Sequence, residues 1–287
     1  MRRHRFTAIL GLLVALTLVA AACAKKEAPA PSQTGGAAIK APANIAGAGK
    51  IVFCSDVTYP PEEFYDENNK VVGSDADIGT KIAQLMGVDA EFDNTGFDGI
   101  IPALLGKKCD AIISGMNDTP ERRQQVNFAD YLSVGQSLAV PPGNPKNISD
   151  LTSLSGLSVA VEVGTTNADF LNKESDKLKS GGKSGIDVIT FPKDTDAANA
   201  LKTGKVDAYF ADSPPVIYYT VQDPQAFELA GQPVNPIPVG IALRTEDSEL
   251  LAAVLTAIDT MYSDGSMCKI LSTWNMTDFV LDTKPPC

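Results

Sequence analysis

Residues 75–87, Asp75-Ala76-Asp77-Ile78-Gly79-Thr80-Lys81-Ile82-Ala83-Gln84-Leu85-Met86-Gly87, place Ile78, Ile82, Leu85 and Met86 at i, i+4, i+7 and i+8. That spacing predicts one buried face of a helix, closed by Gly87. Upstream, the short apolar run 51–55 ends at Asp56 and yields to the turn chemistry of Tyr59-Pro60-Pro61, so it reads as a strand. Downstream, Ile100, Ile101, Leu104 and Leu105 mark a second helix ending near Gly106; it feeds the apolar run Ala111-Ile112-Ile113, which stops at Ser114-Gly115. Alternating strands and helices imply right-handed crossovers and a mostly parallel sheet.

The pattern restarts after the Pro/Gly-rich passage Pro141-Pro142-Gly143-Asn144-Pro145. Val159-Ala160-Val161 leads into Gly164-Thr165-Thr166 and a helix, Val188-Ile189 reads as a strand, 197–201 as a helix, and 206–210 as a strand running to Asp212. This second unit is expected to have its own sheet. A third passage, the strand 239–243 and a helix carrying Leu250, Leu251, Val254, Leu255 and Ile258, fits either unit. Two α/β lobes with polar residues at their strand ends put a ligand in the crevice between them.

Of the 287 residues, 44% are hydrophobic and 21% charged, a composition that excludes disorder throughout and a small disulfide scaffold. The formal charge is -11, and it falls to -14 once Arg2, Arg3 and Arg5 are set aside. So acidic a surface argues against nucleic acid, whose phosphates need a basic face. The one histidine, His4, lies beside those arginines, so a chain cleaved after residue 22 has none, which excludes histidine triads, metal sites and pH switches.

Arg2, Arg3 and Arg5 precede the apolar run 6–22, which ends in Ala20-Ala21-Ala22 before Cys23. This is the charged, apolar and small-residue order of an export signal over residues 1–22, and Thr7, Gly11 and Thr17 make it short for a membrane span. A cysteine just after such a site resembles the lipobox of bacterial lipoproteins, although Ala20 stands where a larger aliphatic residue is usual. Residues 23–49, rich in Ala, Pro and Gly, read as a lipidated cysteine and a flexible tether. Four cysteines come after it, and four allow three pairings; Cys268–Cys287, tying down the tail, is favoured, with Cys54–Cys109 as its complement. No CxxC spacing is present to suggest zinc, and no metal is expected.

Several motifs in register carry a family resemblance. They are Ser55-Asp56-Val57-Thr58-Tyr59-Pro60-Pro61, Val72-Gly73-Ser74-Asp75-Ala76-Asp77, Phe97-Asp98-Gly99-Ile100-Ile101-Pro102-Ala103-Leu104 and Ser114-Gly115-Met116-Asn117-Asp118-Thr119-Pro120-Glu121-Arg122. Further on come Gly164-Thr165-Thr166, Val206-Asp207-Ala208-Tyr209-Phe210-Ala211-Asp212 and Asp264-Gly265-Ser266. Over about residues 50–275 the chain resembles the bacterial extracellular solute-binding proteins of family 3, receptors of ABC importers for polar amino acids. The resemblance implies an α/β, two-lobed periplasmic-binding-protein fold of type II with a hinge between the lobes. Residues 50–137 and 238–287 would form lobe 1, and 138–237 lobe 2.

The same resemblance implies a set of site residues. Arg122 stands where the family binds the ligand carboxylate, and a guanidinium offers a planar fork that matches one bidentately; the plainer reading is a surface arginine at a helix start. Ser114, Gly115, Asn117 and Thr119 would supply donors around the same carboxylate, with Asn117 replacing the usual Ser or Thr. Asp212 would accept the α-ammonium, against the plainer reading of a helix cap before Pro214. Thr165 and Thr166 open a helix, where free N–H groups favour an anion, or simply cap it. Tyr59 and Phe97 would sandwich the ligand side chain. Asp56, Glu62 and Glu162 would put three carboxylates around one pocket, which repels an acidic ligand and attracts arginine, lysine or ornithine, with glutamine or another polar amino acid as the second choice; alternatively Glu62 and Glu63 are a solvated pair beside Pro61.

The resulting expectation is an exported, lipid-anchored monomer, periplasmic or at the cell surface, that binds a polar, basic amino acid, hands it to an ABC permease and needs no cofactor. An enzyme of the dehydratase type on the same fold would use Glu62 and Glu162 for acid–base work. A sensor module would share the site and differ in partner.

Overall fold

The computed structural model describes residues 38–287. Helix α1 (Ala43–Ala48) precedes strand β1 (Lys50–Ser55), the short strands β2 (Thr58–Tyr59), β3 (Glu63–Tyr65) and β4 (Val71–Val72), helix α2 (Ser74–Leu85), β5 (Asp89–Asn94), α3 (Ile100–Leu105) and β6 (Ala111–Ile112). The long strand β7 (Val126–Val140) leads to β8 (Ser158–Glu162), α4 (Thr166–Ser180), β9 (Asp187–Phe191), α5 (Asp194–Lys202), β10 (Ala208–Asp212) and α6 (Ser213–Gln222). A second long strand, β11 (Glu228–Arg244), returns the chain to α7 (Ser248–Ser263) and α8 (Ser266–Thr273).

The helix expected from residue 75 is α2, and its Ile78 and Ile82 are fully buried. One expectation is corrected: the two units do not have separate sheets. A single 8-stranded sheet runs β5-β1-β6-β11-β7-β10-β8-β9, while β2-β3-β4 form a small sheet of their own. Parallel pairing holds at each end, and β7 and β11 join the two halves antiparallel to each other and to their outer neighbours. Hydrophobic contact still divides the molecule into lobes. In lobe 1, Ile51, Phe53, Ile78, Ile241 and Ile258 form one core and Ile100, Leu104, Ile112 and Phe128 another on the opposite sheet face. In lobe 2, Val159, Val161 and Phe210 face α4, whereas Ala160 and Tyr209 face α5 and α6, the alternation of a strand buried on both sides.

The cysteines pair Cys54–Cys109, within the lobe 1 core, and Cys268–Cys287, which ties the tail to α8. Cys23 and the export signal 1–22 lie outside the described residues. One part of the expected linker 23–49 is corrected: residues 38–49 are not solvated, and the rest of it lies outside the described residues. Ile39, Ala41 and Ile45 are buried in the lobe 1 core, and the Ile39 amide donates to the Leu85 carbonyl at 3.0 Å. Composition hid this: three apolar side chains among alanines and prolines lack helical or strand periodicity over so short a stretch.

Ile45→Ala should therefore destabilise the protein by about 2–4 kcal/mol, the cost of truncating a buried aliphatic side chain. Urea unfolding, with the midpoint compared at constant slope, measures it; an unchanged midpoint would mean that this segment does not belong to the folded lobe.

Candidate binding cleft

The cleft lies where strand ends of the two lobes meet. Its walls are Asp56, Tyr59, Phe97, Ser114, Gly115 and Asn117 from lobe 1 and Glu162, Thr165, Asn167 and Asp212 from lobe 2, closed around a cavity of only about 10 Å³. Asp56 follows β1, Ser114 follows β6 by two residues, Glu162 ends β8 and Asp212 ends β10, so carboxyl ends of strands from both lobes point at one place. The remaining expected residues lie just outside. Arg122, Thr119 and Thr166 line an adjoining groove together with Gly164, and Glu62 is buried beyond Gly115.

The lobes touch directly across the cleft. Asn117 is the central link: its Nδ2 donates to Asp212 Oδ2 at 3.3 Å, and its Oδ1 accepts from Thr166 Oγ1 at 2.5 Å. Asn167 donates to the other Asp212 oxygen at 3.2 Å, and the Asp212 amide donates to the Tyr59 hydroxyl at 3.3 Å. The Arg122 guanidinium donates to the Asn117 carbonyl at 2.8 Å and, across the lobes, to the Gly164 carbonyl at 3.3 Å, while lying over the Phe97 ring at 5.3 Å. Gly164 has φ +77, and a Cβ there would come within 2.9 Å of the Asp98 backbone, so only glycine permits this approach.

Two expected donors are already committed inside lobe 1. Ser114 Oγ donates to Glu63 at 2.7 Å and accepts from the Asp56 amide at 2.9 Å. The Gly115 amide donates to Asp75 at 2.8 Å, and Asp75 also accepts from the Tyr131 hydroxyl at 2.6 Å. Gly115 sits at φ +48 with the Tyr59 ring 2.9 Å from where a Cβ would stand. These contacts fix the loop that carries Asn117. Thr165 Oγ1 accepts from the Ala168 amide, so its hydroxyl caps α4, the plainer of its two readings; Asp212, by contrast, makes no side-chain cap to α6. Glu62 and Glu63 are 2% and 0% exposed, which overturns the solvated-pair reading.

The sequence motifs assign no site role to Glu63, Asp75, Asn167 or Asp194. Asn167 directly follows Gly164-Thr165-Thr166, and that adjacency is the one local signal for it. Asp75 and Asp194, in the first turns of α2 and α5, look like ordinary helix-dipole acids, and only the fold shows them to be fully buried.

Burial dominates the electrostatics. It raises Asp56 from the ordinary aspartate value and Glu162 well above the glutamate one, the latter helped by the charges of Asp194 and Asp56. Desolvation pushes Asp212 up to about 6 against the hydrogen bonds of Asn167 and Asn117 and the charge of Arg122. Behind Glu162, Asp194 is pushed up to about 7 by burial, opposed by its bond from the Tyr209 hydroxyl at 2.5 Å. Glu62 is raised well above its usual range by burial and then by the charges of Asp75 and Asp212. Such a cleft favours protons or a cation.

Residues 51–277 match the model of the bacterial extracellular solute-binding proteins, family 3, and the chain belongs to that family. Among its relatives, the ABC transporter arginine-binding protein 1 of Escherichia coli K12 is 30% identical over 231 residues, covering 79% of this chain and 91% of that one. An ancestral arginine-binding protein solved with bound arginine is 37% identical with a TM-score of 0.74, covering 79% of this chain and 98% of the other. The ancestral amino acid-binding protein AncCDT-1, a precursor of cyclohexadienyl dehydratase, is 32% identical with a TM-score of 0.74, covering 80% and 97%.

Carboxyls whose folded pKa exceeds the unfolded one bind more protons when folded, so they contribute stability at low pH that is lost as pH rises. For Asp212 and Asp194 that window runs from about 4 to about 7. The ligand-free protein should melt at a higher temperature at pH 5 than at pH 8, and Asp194→Asn should flatten the difference. Calorimetry across that range measures it; a melting temperature that rises from pH 5 to 8 would contradict the buried acid set.

Proposed function

We propose that this chain is the substrate-binding component of an ABC importer and takes a basic amino acid, arginine foremost, in the cleft between its lobes. The observation that carries the reading is the sign of the cleft: Asp56, Glu162 and Asp212 line it, and no basic side chain does so among the described residues. Asp212 would accept the α-ammonium, Arg122 and Asn117 would turn to the α-carboxylate, and Asp56 and Glu162, one from each lobe, would take the cationic side chain. Tyr59 and Phe97 would flank its apolar stem. A planar guanidinium suits this arrangement, since it can give separate hydrogen bonds to two carboxylates and stack on an aromatic face. A cation that contacts both lobes binds the closed form better than the open one and so drives closure.

The arginine-binding relatives support this reading. Of the cleft residues, the acids of both lobes are suited to holding charge, and nothing in the reading calls for turnover; unaltered ligand after long incubation would agree with a receptor, and a dehydrated product would not. We further propose that the mature protein begins at Cys23 and is held at the outer surface of a membrane by lipid on that residue. Support comes from Ala20-Ala21-Ala22-Cys23 after an apolar run. Cys23→Ser should move the protein from the membrane fraction to the soluble one.

Titration calorimetry tests the ligand. Arginine should bind with a micromolar or lower Kd, about -8 kcal/mol or better. Glu162→Leu should weaken arginine at least tenfold while sparing glutamine, and Asp212→Ala should abolish both. Because the ligand displaces protons from raised carboxyls, affinity should fall below about pH 6, with proton uptake by the buffer seen as a buffer-dependent heat. Equal affinity for arginine and glutamine in the wild type would sink the acidic-pocket argument.

A further inference from the structure

The β2–β3 hairpin of lobe 1 touches helix α6 of lobe 2 at two points. The first belongs to the cleft: Tyr59, in β2, accepts from the amide of Asp212, the residue that precedes α6. The second lies outside it. Phe64, in β3, faces Tyr218, in the middle of α6, with ring centroids 5.8 Å apart and planes at 51°. Register explains why one hairpin serves both contacts. Tyr59 pairs with Glu63 and Thr58 with Phe64, so Glu63 and Phe64 point to opposite faces of β3. Glu63 turns inward to Ser114, and Phe64 turns outward to lobe 2.

Phe64 is also held on its own side. Trp274, the chain's single tryptophan, meets its ring edge-on, centroids 5.7 Å apart at 88°, and is itself fastened to lobe 1 by donating its indole N–H to Asp77 at 2.8 Å. Tyr218 packs on Tyr219, whose ring stacks on Phe227 in the lobe 2 core. Each half of the contact is thus braced within its lobe, and neither Phe64 nor Tyr218 lines the cleft.

We infer that Phe64 and Tyr218 form an aromatic clasp outside the cleft that biases the lobes toward the closed form independently of the ligand's own contacts, and that Trp274 reports its state. The contact can exist only when the lobes are together, so its whole interaction energy biases the open–closed equilibrium. An aromatic pair in this geometry shifts such an equilibrium by about three- to tenfold. By holding the closed state ready, the clasp raises affinity without touching the ligand, chiefly by slowing its release.

Two arms test this, and only the second rests on the arginine reading of the cleft. In the first, small-angle scattering and Trp274 emission, excited at 295 nm, are recorded on the ligand-free protein as wild type, Tyr218→Ala and Tyr218→Phe. Tyr218→Ala should enlarge the radius of gyration and change the emission, and Tyr218→Phe, which keeps the ring, should match wild type. In the second, stopped-flow dissociation of arginine should be about three- to tenfold faster in Tyr218→Ala than in wild type. Phe64→Leu, which keeps apolar volume and loses the ring, repeats both arms should Tyr218→Ala fail to fold. Scattering and emission indistinguishable between wild type and Tyr218→Ala would overturn the clasp, as would Tyr218→Phe behaving like Tyr218→Ala. Failure of arginine to bind the wild type would overturn the ligand reading and leave the first arm to decide the clasp.

Discussion

Everything in the cleft depends on the antiparallel pairing of β7 with β11, the two strands that carry the chain from one lobe to the other. Their ladder is regular at both ends, from Glu228↔Val140 to Ala230↔Leu138 and from Gly240↔Asp130 to Arg244↔Val126. Between them it slips, with shifts between Ala230 and Val234, Val234 and Ile237, and Val239 and Gly240. Irregular pairing bends and twists a strand, while the paired ends remain part of rigid sheets. Buried Gln136 sits at the slip and accepts from Asn235 at 3.0 Å, so the crossing is held by a side chain where the backbone ladder is incomplete. A connection of this kind permits rotation of one lobe against the other and resists sliding. It lets Asn117 meet Asp212 and Thr166 in a fixed register although they are far apart in sequence.

The second constraint is the number of carboxyls buried near that meeting point. Removing an ionised carboxylate from water costs several kcal/mol unless partners or a proton compensate. Partners divide the group in two. Glu63 and Asp75 receive Ser114, Tyr131 and the Gly115 amide from their own lobe, and through those bonds they set the loop that ends in Asn117 and Arg122. Asp56, Glu162 and Asp212 face the cleft, and Glu162 Oε1 has no hydrogen-bond partner. The first set serves architecture within one lobe; in the second, Asp56 accepts from the Thr58 hydroxyl and the Phe97 amide and Asp212 from Asn117 and Asn167, which leaves Glu162 Oε1 as the acceptor turned toward whatever enters.

The sequence is most legible where periodicity and punctuation agree. α2, α3, β1 and β8 stand where the apolar spacing and the glycines after it put them, and motifs in register locate the strand ends that line the cleft. β7 is invisible for a physical reason. Its burial alternates poorly, because a strand crossing from one two-sided core to another is covered on both faces for much of its length and carries Asp130, Gln136 and Ser137 at the crossing. The continuous sheet is hidden with it. Asp75 and Asp194 escape notice because a helix-start acid is read from local sequence as a dipole partner, whereas its burial is decided by elements more than fifty residues away or on a neighbouring strand, as Tyr131 and Tyr209 show. Residues 38–49 mark the opposite failure, in which composition suggests solvation and a few aliphatic side chains decide otherwise.

The commitment of Ser114 and Gly115 to buried acids bears on how a zwitterion would be held. In the closed form the Asn117 amide and the Arg122 guanidinium direct their donors to Asp212, to the Gly164 carbonyl and to the Asn117 carbonyl. A ligand carboxylate would have to draw both away, so part of what it gains is offset by interlobe bonds that it breaks. An α-ammonium faces the same exchange at Asp212, whose oxygens already accept from Asn117 and Asn167. The net gain at the amino-acid end is therefore smaller than its contacts suggest, because one hydrogen bond replaces another. At the side-chain end the exchange is different. Asp56 and Glu162 are both raised by burial, Glu162 further by the charges of Asp194 and Asp56, and the two carboxyls hydrogen-bond to each other across the lobes; a cation placed between them replaces that bond but also offsets desolvation and repulsion. On the proposed reading, discrimination among amino acids would fall to the acids of the side-chain pocket, and the common amino-acid frame would contribute mainly orientation.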